Sequence, residues 1–391
     1  MMEADWKECK LGEVVTLKRG YDLPTDDRNE GEVPIVSSSG ITGWHDSAKV
    51  EAPGVVTGRY GTLGEVFFME EDFWPLNTSL YVKDFHSNDP RFIHYFLHTI
   101  NFEQQNAASS VPGVNRNHLH KLDVRIPPLP VQRRTAGILG AYDDLIANNR
   151  RRIELLEEMA TAIFREWFVH YRFPGHADVE TRETEIGAVP EGWTVKSIGE
   201  LATSPRSRVD PEEMDPDTPY FGLGDMPKES IALSEWGRAE DAGSKKYSFD
   251  RGDILFGKIR PYFHKVGPAP VPGICSTDAI VIVPNSDDLW SFVLGHVSSD
   301  EFVELADQTS SGTKMPRAKW KILKEEYKVV IPPPPILQQF NDTMQNLVDQ
   351  IHNLIHRNHT LRKTRDLLLP RLVAGEVEIE TEMEMARKAA D

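Results

Sequence analysis

The chain has 391 residues, 44 basic against 61 acidic side chains, a net charge of -17 and only two cysteines. That length exceeds one comfortable hydrophobic core, so two or more domains are expected, and 39% apolar with 27% charged residues fits a soluble globular protein. The composition excludes a disulfide framework, and no apolar run approaches the roughly 20 residues of a membrane span.

From the N-terminus, MMEADWKECK shows no apolar stretch behind a basic start, and Cys9 and Cys275 suit a reducing compartment, so a cytoplasmic location is expected. GEVPIV, PGVVTGRYG, EVFFM and SLYVKDF read as short strands between Gly/Pro turns, and Asp89-Pro90 opens a helix in DPRFIHYFLHTINFEQQN. IPPLP (126–130) then stops a strand and starts a helix of 35–40 residues. Its apolar or small residues recur in threes and fours at Ile138, Tyr142, Leu145, Leu156, Ala160, Ile163 and Trp167, with Ile146, Ile153 and Met159 beside them. Polar residues 174–193 read as a linker. In the second half YSFDRGDILFGKIRPYF and DAIVIV predict strands, and DLWSFVLGHVSSDEFVELA predicts a helix. IPPPP (331–335) precedes a second long helix with Met344, Leu347, Ile351, Leu354, Ile355, Leu361, Leu368 and Leu372 on its stripe. Helices this long need a partner for the stripe, and each is the other's natural partner in an antiparallel coiled coil.

The halves repeat. At an offset of 205, Asp144, Ile146, Asn148, Arg152 and Leu156 fall on Asp349, Ile351, Asn353, Arg357 and Leu361. WKECKLGEVVT matches WTVKSIGELAT at 187, and NTSLYV (77–82) resembles STDAIVIV (276–283) at 199. Three matches in one order indicate a duplicated domain, with extra residues in the second copy. The acidic excess is uneven. Gly243–Cys275 and Lys314–Lys328 each carry six basic residues against two acidic ones, while the tail holds Glu376, Glu378, Glu380, Glu382 and Glu384. Local basic patches on an acidic chain are therefore expected.

No catalytic constellation emerges. GRYGTLG and GLGDM are neither dinucleotide nor P-loop patterns, and no cofactor or metal is expected. The pairs His94/His98 and His352/His356 have helical spacing but no HExxH acid, and read as solvated surface.

Several segments carry a family resemblance: LGEVVTLKRG, VVTGRYGTLG, NTSLYV, VPGVNRNHLHKLDVRIPPLPVQRRTAGILGAYDDLIANNRRRIELLEEMATAIFREWF and LLLPRLVAGEV. Over about residues 5–380 the chain resembles the specificity (S) subunit of type I restriction–modification systems. The resemblance implies an α+β fold of two tandem mixed α/β target-recognition domains, each followed by a long helix. The helices would pair as an antiparallel coiled coil with pseudo-two-fold symmetry. Boundaries follow: recognition domains at 1–126 and 193–331, spacer helices at 127–173 and 332–375, a linker at 174–192 and an acidic tail at 376–391. The family reads a bipartite double-stranded DNA target, docks two modification (methyltransferase) subunits and, in the full complex, restriction subunits, and is itself non-catalytic. The open alternatives are a self-sufficient DNA methyltransferase or nuclease, or a coiled-coil protein adaptor.

Candidate DNA contacts are Arg59, Tyr60, Asn77, Thr78, Ser79, Asn115, Arg116 and Asn117 in the first globule. Those in the second are Lys258, Arg260, Tyr262, Ser276, Thr277, Lys314, Arg317 and Lys319, since Gly-flanked turns bearing Arg, Asn and Lys suit base edges and phosphates. Tyr142, Leu145, Leu156, Ile163, Leu347, Ile351, Leu361 and Leu368 are the expected coiled-coil seam, and Trp167 and Phe168 are read as core packing at its end.

Overall fold

The structure is a computed structural model that describes residues 6–102, 113–184 and 187–377. From 378 onward the expected acidic tail lies outside the described residues, as does the NFEQQN end of the first predicted helix from 103. Two compact units are formed: residues 1–146 with 360–391, and residues 147–359.

In the first unit Gly54–Gly58, buried along its whole length, lies between Ser79–Asp84 and Val66–Met69 in an antiparallel sheet whose far edge is Thr16–Arg19. Gly40–His45, Val33–Ser37 and Trp74–Pro75 form a second, three-stranded sheet. The helix Pro90–His98 starts as its sequence dictates: Asp89 accepts from the Phe92 amide at 2.9 Å, and proline occupies the first turn. A ribbon of Lys7–Lys10 and Asp123–Ile126 closes the globule.

The second unit repeats this plan. Ala202–Thr203, Ala279–Pro284, Ile254–Gly257 and Val266–Pro268 form the corresponding sheet in the same order, and Thr194–Ser197 pairs with Lys328–Ile331 as the closing ribbon. The registers confirm the duplication: Lys7 opposes Ile126, and Thr194 opposes Ile331, which preserves the offsets of 187 and 205 at the two ends. In the central sheet Gly58 opposes Ser79 and Gly257 opposes Ala279, so the middle offset is 200 rather than 199. Asn77 therefore corresponds to Thr277. A five-stranded sheet of Arg208–Val209, Lys246–Phe249, Gly273–Cys275, Pro219–Phe221 and Gly237–Arg238 is the second unit's larger elaboration. The stretch read as a linker is itself structured, with Thr181–Thr184 paired to Gly187–Pro190 and Val189 fully buried.

The long helices run Leu129–Phe164 and Pro334–Ala374. Within each unit their segments pack antiparallel. In the first, Ala136 and Leu139 share a core with Leu368, Leu372 and Val373, and Arg365 donates to Asp143, which also accepts from Tyr95. In the second, Ile153 packs with Ile351, Leu354 and Ile355, and Phe164 meets Phe340. The buried line passes through Leu139, Ile146, Asn149, Ile153 and Ala160, close to the 3.5-residue repeat of paired helices. Leu145 is 50% exposed and is not a seam residue. The seam runs through its neighbour Ile146, because the frame is continued by a polar residue, Asn149, that an apolar pattern skips. Leu347 and Ile351 are buried, while Tyr142, Leu156, Ile163, Leu361 and Leu368 are partly buried.

Asn149 Nδ2 donates to Asn358 Oδ1 at 2.9 Å, and both side chains are buried. Replacing Asn149 alone by leucine strands the Asn358 carboxamide and should destabilise the second unit by about 1–3 kcal/mol. The double variant Asn149→Leu/Asn358→Leu should recover that loss, because an apolar pair has nothing to leave unsatisfied. Urea unfolding of the three proteins measures this; a single variant as stable as the double would show the hydrogen bond to be immaterial.

One histidine of each pair is less solvated than the spacing suggested, while His98 is exposed and His356 partly buried. His352 is buried and pushed down to about 4 by desolvation, and burial with the neighbouring His98 pushes His94 down to about 3. Desolvation keeps both rings neutral near pH 7, a burial that helical spacing alone does not reveal.

Candidate nucleic-acid interface

In the first unit the central strand ends at Gly58, where a Cβ would lie 1.9 Å from the Thr62 carbonyl, so only glycine fits. The turn continues through Gly61, whose φ is +83°. The amides of Arg59 and Tyr60 both donate to the Thr78 carbonyl, at 2.9 and 3.1 Å, and the Val114 amide donates to the Arg59 carbonyl at 3.0 Å. With the backbone pinned on two sides, the Arg59 guanidinium lies 4.4 Å from the Tyr60 ring centre. It donates to Tyr60 Oη at 3.2 Å and to the Asn77 carbonyl at 3.3 Å. Asn115 caps the short helix Arg116–Leu119, its side chain accepting from the Asn117 amide at 2.9 Å.

Arg59, Tyr60, Val114, Asn115 and Arg116 face a cleft of ≈ 710 Å³ whose other wall is Lys18, Arg19, Gly20, Tyr21 and Asp22, while Asn77 and Asn117 are not among its lining residues. Arg59, Tyr60, Asn115 and Arg116 thus meet, joined by a strand end that sequence reasoning missed. Lys18 Nζ donates to Tyr21 Oη at 3.3 Å, and Tyr21 shares a 3.0 Å hydroxyl contact with Tyr81, which lowers the Tyr21 pKa. Arg19 pairs with Asp22 at 3.1 Å, and Asp22 also accepts from Asn77 Nδ2. Four cations therefore line the cleft against one carboxylate, which gives an electropositive concavity on a strongly acidic chain. The missed signal was the run TLKRGYD, whose first five residues lie inside the quoted segment LGEVVTLKRG.

Two first-globule candidates differ from expectation. Ser79 has 0% exposure and donates to the Leu76 carbonyl at 2.8 Å, so it is a strand-end residue unavailable to DNA. Thr78 contributes chiefly its carbonyl to the turn, and its hydroxyl oxygen is buried.

The second unit builds the same corner. Lys258 follows Gly257 as Arg59 follows Gly58, and the Ala318 amide donates to the Lys258 carbonyl at 2.9 Å, as Val114 does to Arg59. Ile259 bridges Arg317 where Tyr60 bridges Gly113. Lys319 precedes the helix Trp320–Glu326 where Asn115 precedes its own. Lys258 Nζ donates to the Thr277 carbonyl and lies 3.6 Å from Asp278, whose same oxygen is 3.5 Å from Arg317 Nε. Arg260, at φ +49°, donates its amide to the Pro316 carbonyl at 2.8 Å and a guanidinium N–H to the Lys314 carbonyl at 3.4 Å. Ser276 accepts from the Asp278 amide at 3.1 Å. Lys258, Arg260, Ser276, Thr277, Lys314, Arg317 and Lys319 thus belong to one corner.

Tyr262 does not join them. It is half exposed and lines a separate cavity of ≈ 580 Å³ rimmed by six acids, Glu157, Glu229, Asp300, Glu301, Glu304 and Asp307, against Arg165 and His264. That rim repels phosphate, so Tyr262 is set apart from the DNA candidates. No helix among the described residues is long and apolar enough to cross a membrane.

Comparison with known proteins agrees with the duplicated plan. The family model described as the type I restriction modification DNA specificity domain matches twice, at residues 3–158 and 190–362. The chain is 25% identical over 288 residues to the type I restriction enzyme MjaIX specificity subunit of Methanocaldococcus jannaschii, covering 70% of this chain and 65% of that one. It is 22% identical to the EcoDI specificity subunit of Escherichia coli, over 95% of this chain and 86% of that one. The crystal structure of the type I restriction–modification S subunit from M. genitalium has the same fold, with a TM-score of 0.61 at 14% identity, covering 97% of this chain and 98% of that one. With two family matches laid over two units of equal strand order, the chain belongs to the type I restriction–modification DNA specificity family.

Proposed function

We propose that the chain is a non-catalytic subunit that reads a bipartite double-stranded DNA target in the cytoplasm, one half-site through each globule, and docks modification and restriction subunits. The observation that carries this reading is the same strand-end corner built twice, with matching registers and basic residues at its tip. Two copies of one reading device suit a target with two halves. The corners at Arg59 and Lys258 contact DNA, and the proposed recognition domains are residues 1–126 and 193–331. The long helices, proposed as spacers over 127–173 and 332–375, set the gap between half-sites. The exposed Leu155 and Met159, one turn apart and outside the buried seam, suit docking of a modification subunit.

The test uses the complete complex with its modification subunits. Exchanging residues 193–331 for the corresponding segment of a relative should change the bases methylated in one half-site and leave the other half unchanged. Unchanged methylation at both halves would refute the reading. Adding one heptad to each long helix should alter the preferred gap without altering the half-site bases.

A further inference from the structure

We propose that Asp22 and Asp278 act as built-in counter-anions that hold basic side chains of each interface, Arg19 in the first unit and Lys258 with Arg317 in the second, against non-specific DNA and so widen the gap between cognate and random affinity. This rests on the DNA-reading function proposed above. The two units arrive at the arrangement separately. In the first, one exposed carboxylate pairs with Arg19 at 3.1 Å and accepts from Asn77 Nδ2, within a cleft that also holds Lys18, Arg59 and Arg116. In the second, one carboxylate oxygen lies 3.6 Å from Lys258 Nζ and 3.5 Å from Arg317 Nε. The two aspartates are not at equivalent positions: Asp22 follows the edge strand, whereas Asp278 precedes Ala279, opposite Gly257. In each unit one acid thus contacts two interface side chains, Arg19 and Asn77 in the first and Lys258 and Arg317 in the second, and it does so from different elements.

Unpaired Lys and Arg bind any duplex, because each phosphate contact releases counterions whatever the sequence. A carboxylate already among them means that an arriving phosphate must displace an existing partner and meet a nearby negative charge. On random DNA nothing offsets that opposition. On the cognate half-site base contacts do, so the carboxylate weakens random binding more than specific binding, and specificity is that difference.

The experiment measures binding of the complete complex to two duplexes over a range of salt concentrations. One is the sequence defined by methylated positions in cells carrying the system, and the other is a random duplex of equal length. Asp22→Asn and Asp278→Asn are compared with Glu70→Gln, which removes the same charge outside the cleft. Each asparagine variant should raise random-duplex affinity about tenfold and cognate affinity by clearly less, while Glu70→Gln changes neither ratio. Equal gains on both duplexes, or no gain on the random one, would overturn the proposal. A wild-type complex that does not prefer the methylated sequence would instead refute the DNA-reading function. Asp22→Ala and Asp278→Ala, checked for an unchanged thermal transition, repeat the measurement if asparagine perturbs a turn.

Discussion

Alanine at Phe168 should destabilise the second unit by about 3–5 kcal/mol, the range for deleting a buried aromatic ring. Phe168 lies in the π-helical turn Arg165–Val169 that follows the first long helix, where the wider turn re-aims the side chains. Its ring is buried against Phe340 at 4.6 Å, Phe292 at 4.9 Å and Trp193 at 5.8 Å, centre to centre. These partners come from the second long helix, a globule helix and the end of the closing ribbon, so one truncation loosens three elements. Denaturant unfolding followed by tryptophan fluorescence should show an earlier transition for the second unit. A loss under 1 kcal/mol would mean that the neighbouring rings collapse into the space.

Glu157 gives the second large effect and a pH signature. From the first long helix its carboxylate accepts from Ser230 Oγ and the Ile231 amide, both at 2.7 Å, and from the Ala232 amide at 3.0 Å. Alanine there leaves these donors without their acceptor and should destabilise the second unit by about 1–3 kcal/mol. Burial raises the Glu157 pKa above its ordinary value of 4.5, outweighing the downward pull of the three hydrogen bonds. The folded form therefore holds its proton to higher pH than the unfolded chain does. The contribution of Glu157 to stability falls as pH rises from about 4.5 through the raised value, and is constant below and above that window. In Glu157→Gln this slope should vanish, so the wild-type minus variant difference in urea midpoint should shrink as pH rises across the window. A difference independent of pH would contradict the raised pKa.

Much of the fold was legible because it rests on short-range chemistry. Asp89-Pro90 announces a helix start, the proline joints separate strands from helices, and Gly58 marks a turn only glycine can make. The duplication was legible as well, since WKECK and WTVKS keep the ribbon's spacing. What stayed hidden depends on pairings across the chain. Asn149 is polar and breaks the apolar pattern, and only its partner Asn358 makes it a seam position; without that pairing the apolar spacing selects Leu145 in place of Ile146. Ser79 stands in a polar run beside Asn77, and its burial follows from strand order. Lys18, Arg19, Tyr21 and Asp22 are not legible as a site in the sequence, because the cleft forms only when the edge strand is laid beside Ser79–Asp84.

The closing ribbons carry a consequence for how such a chain can vary. With Lys7 opposite Ile126 and Thr194 opposite Ile331, each globule's chain returns to its point of departure before entering a long helix. Everything between those residues is a loop tied off at its neck. The entropy of closing such a loop grows only logarithmically with its length, and the second copy already holds 18 more residues than the first between the same two points. Insertions and deletions in the loops between are therefore absorbed inside the neck, provided the globule's contacts with the helices, such as Tyr95 on Asp143 and Ile231 on Glu157, are kept. The joint that feeds the helix keeps its geometry, and one half of the molecule is free to diversify while the other stays as it was.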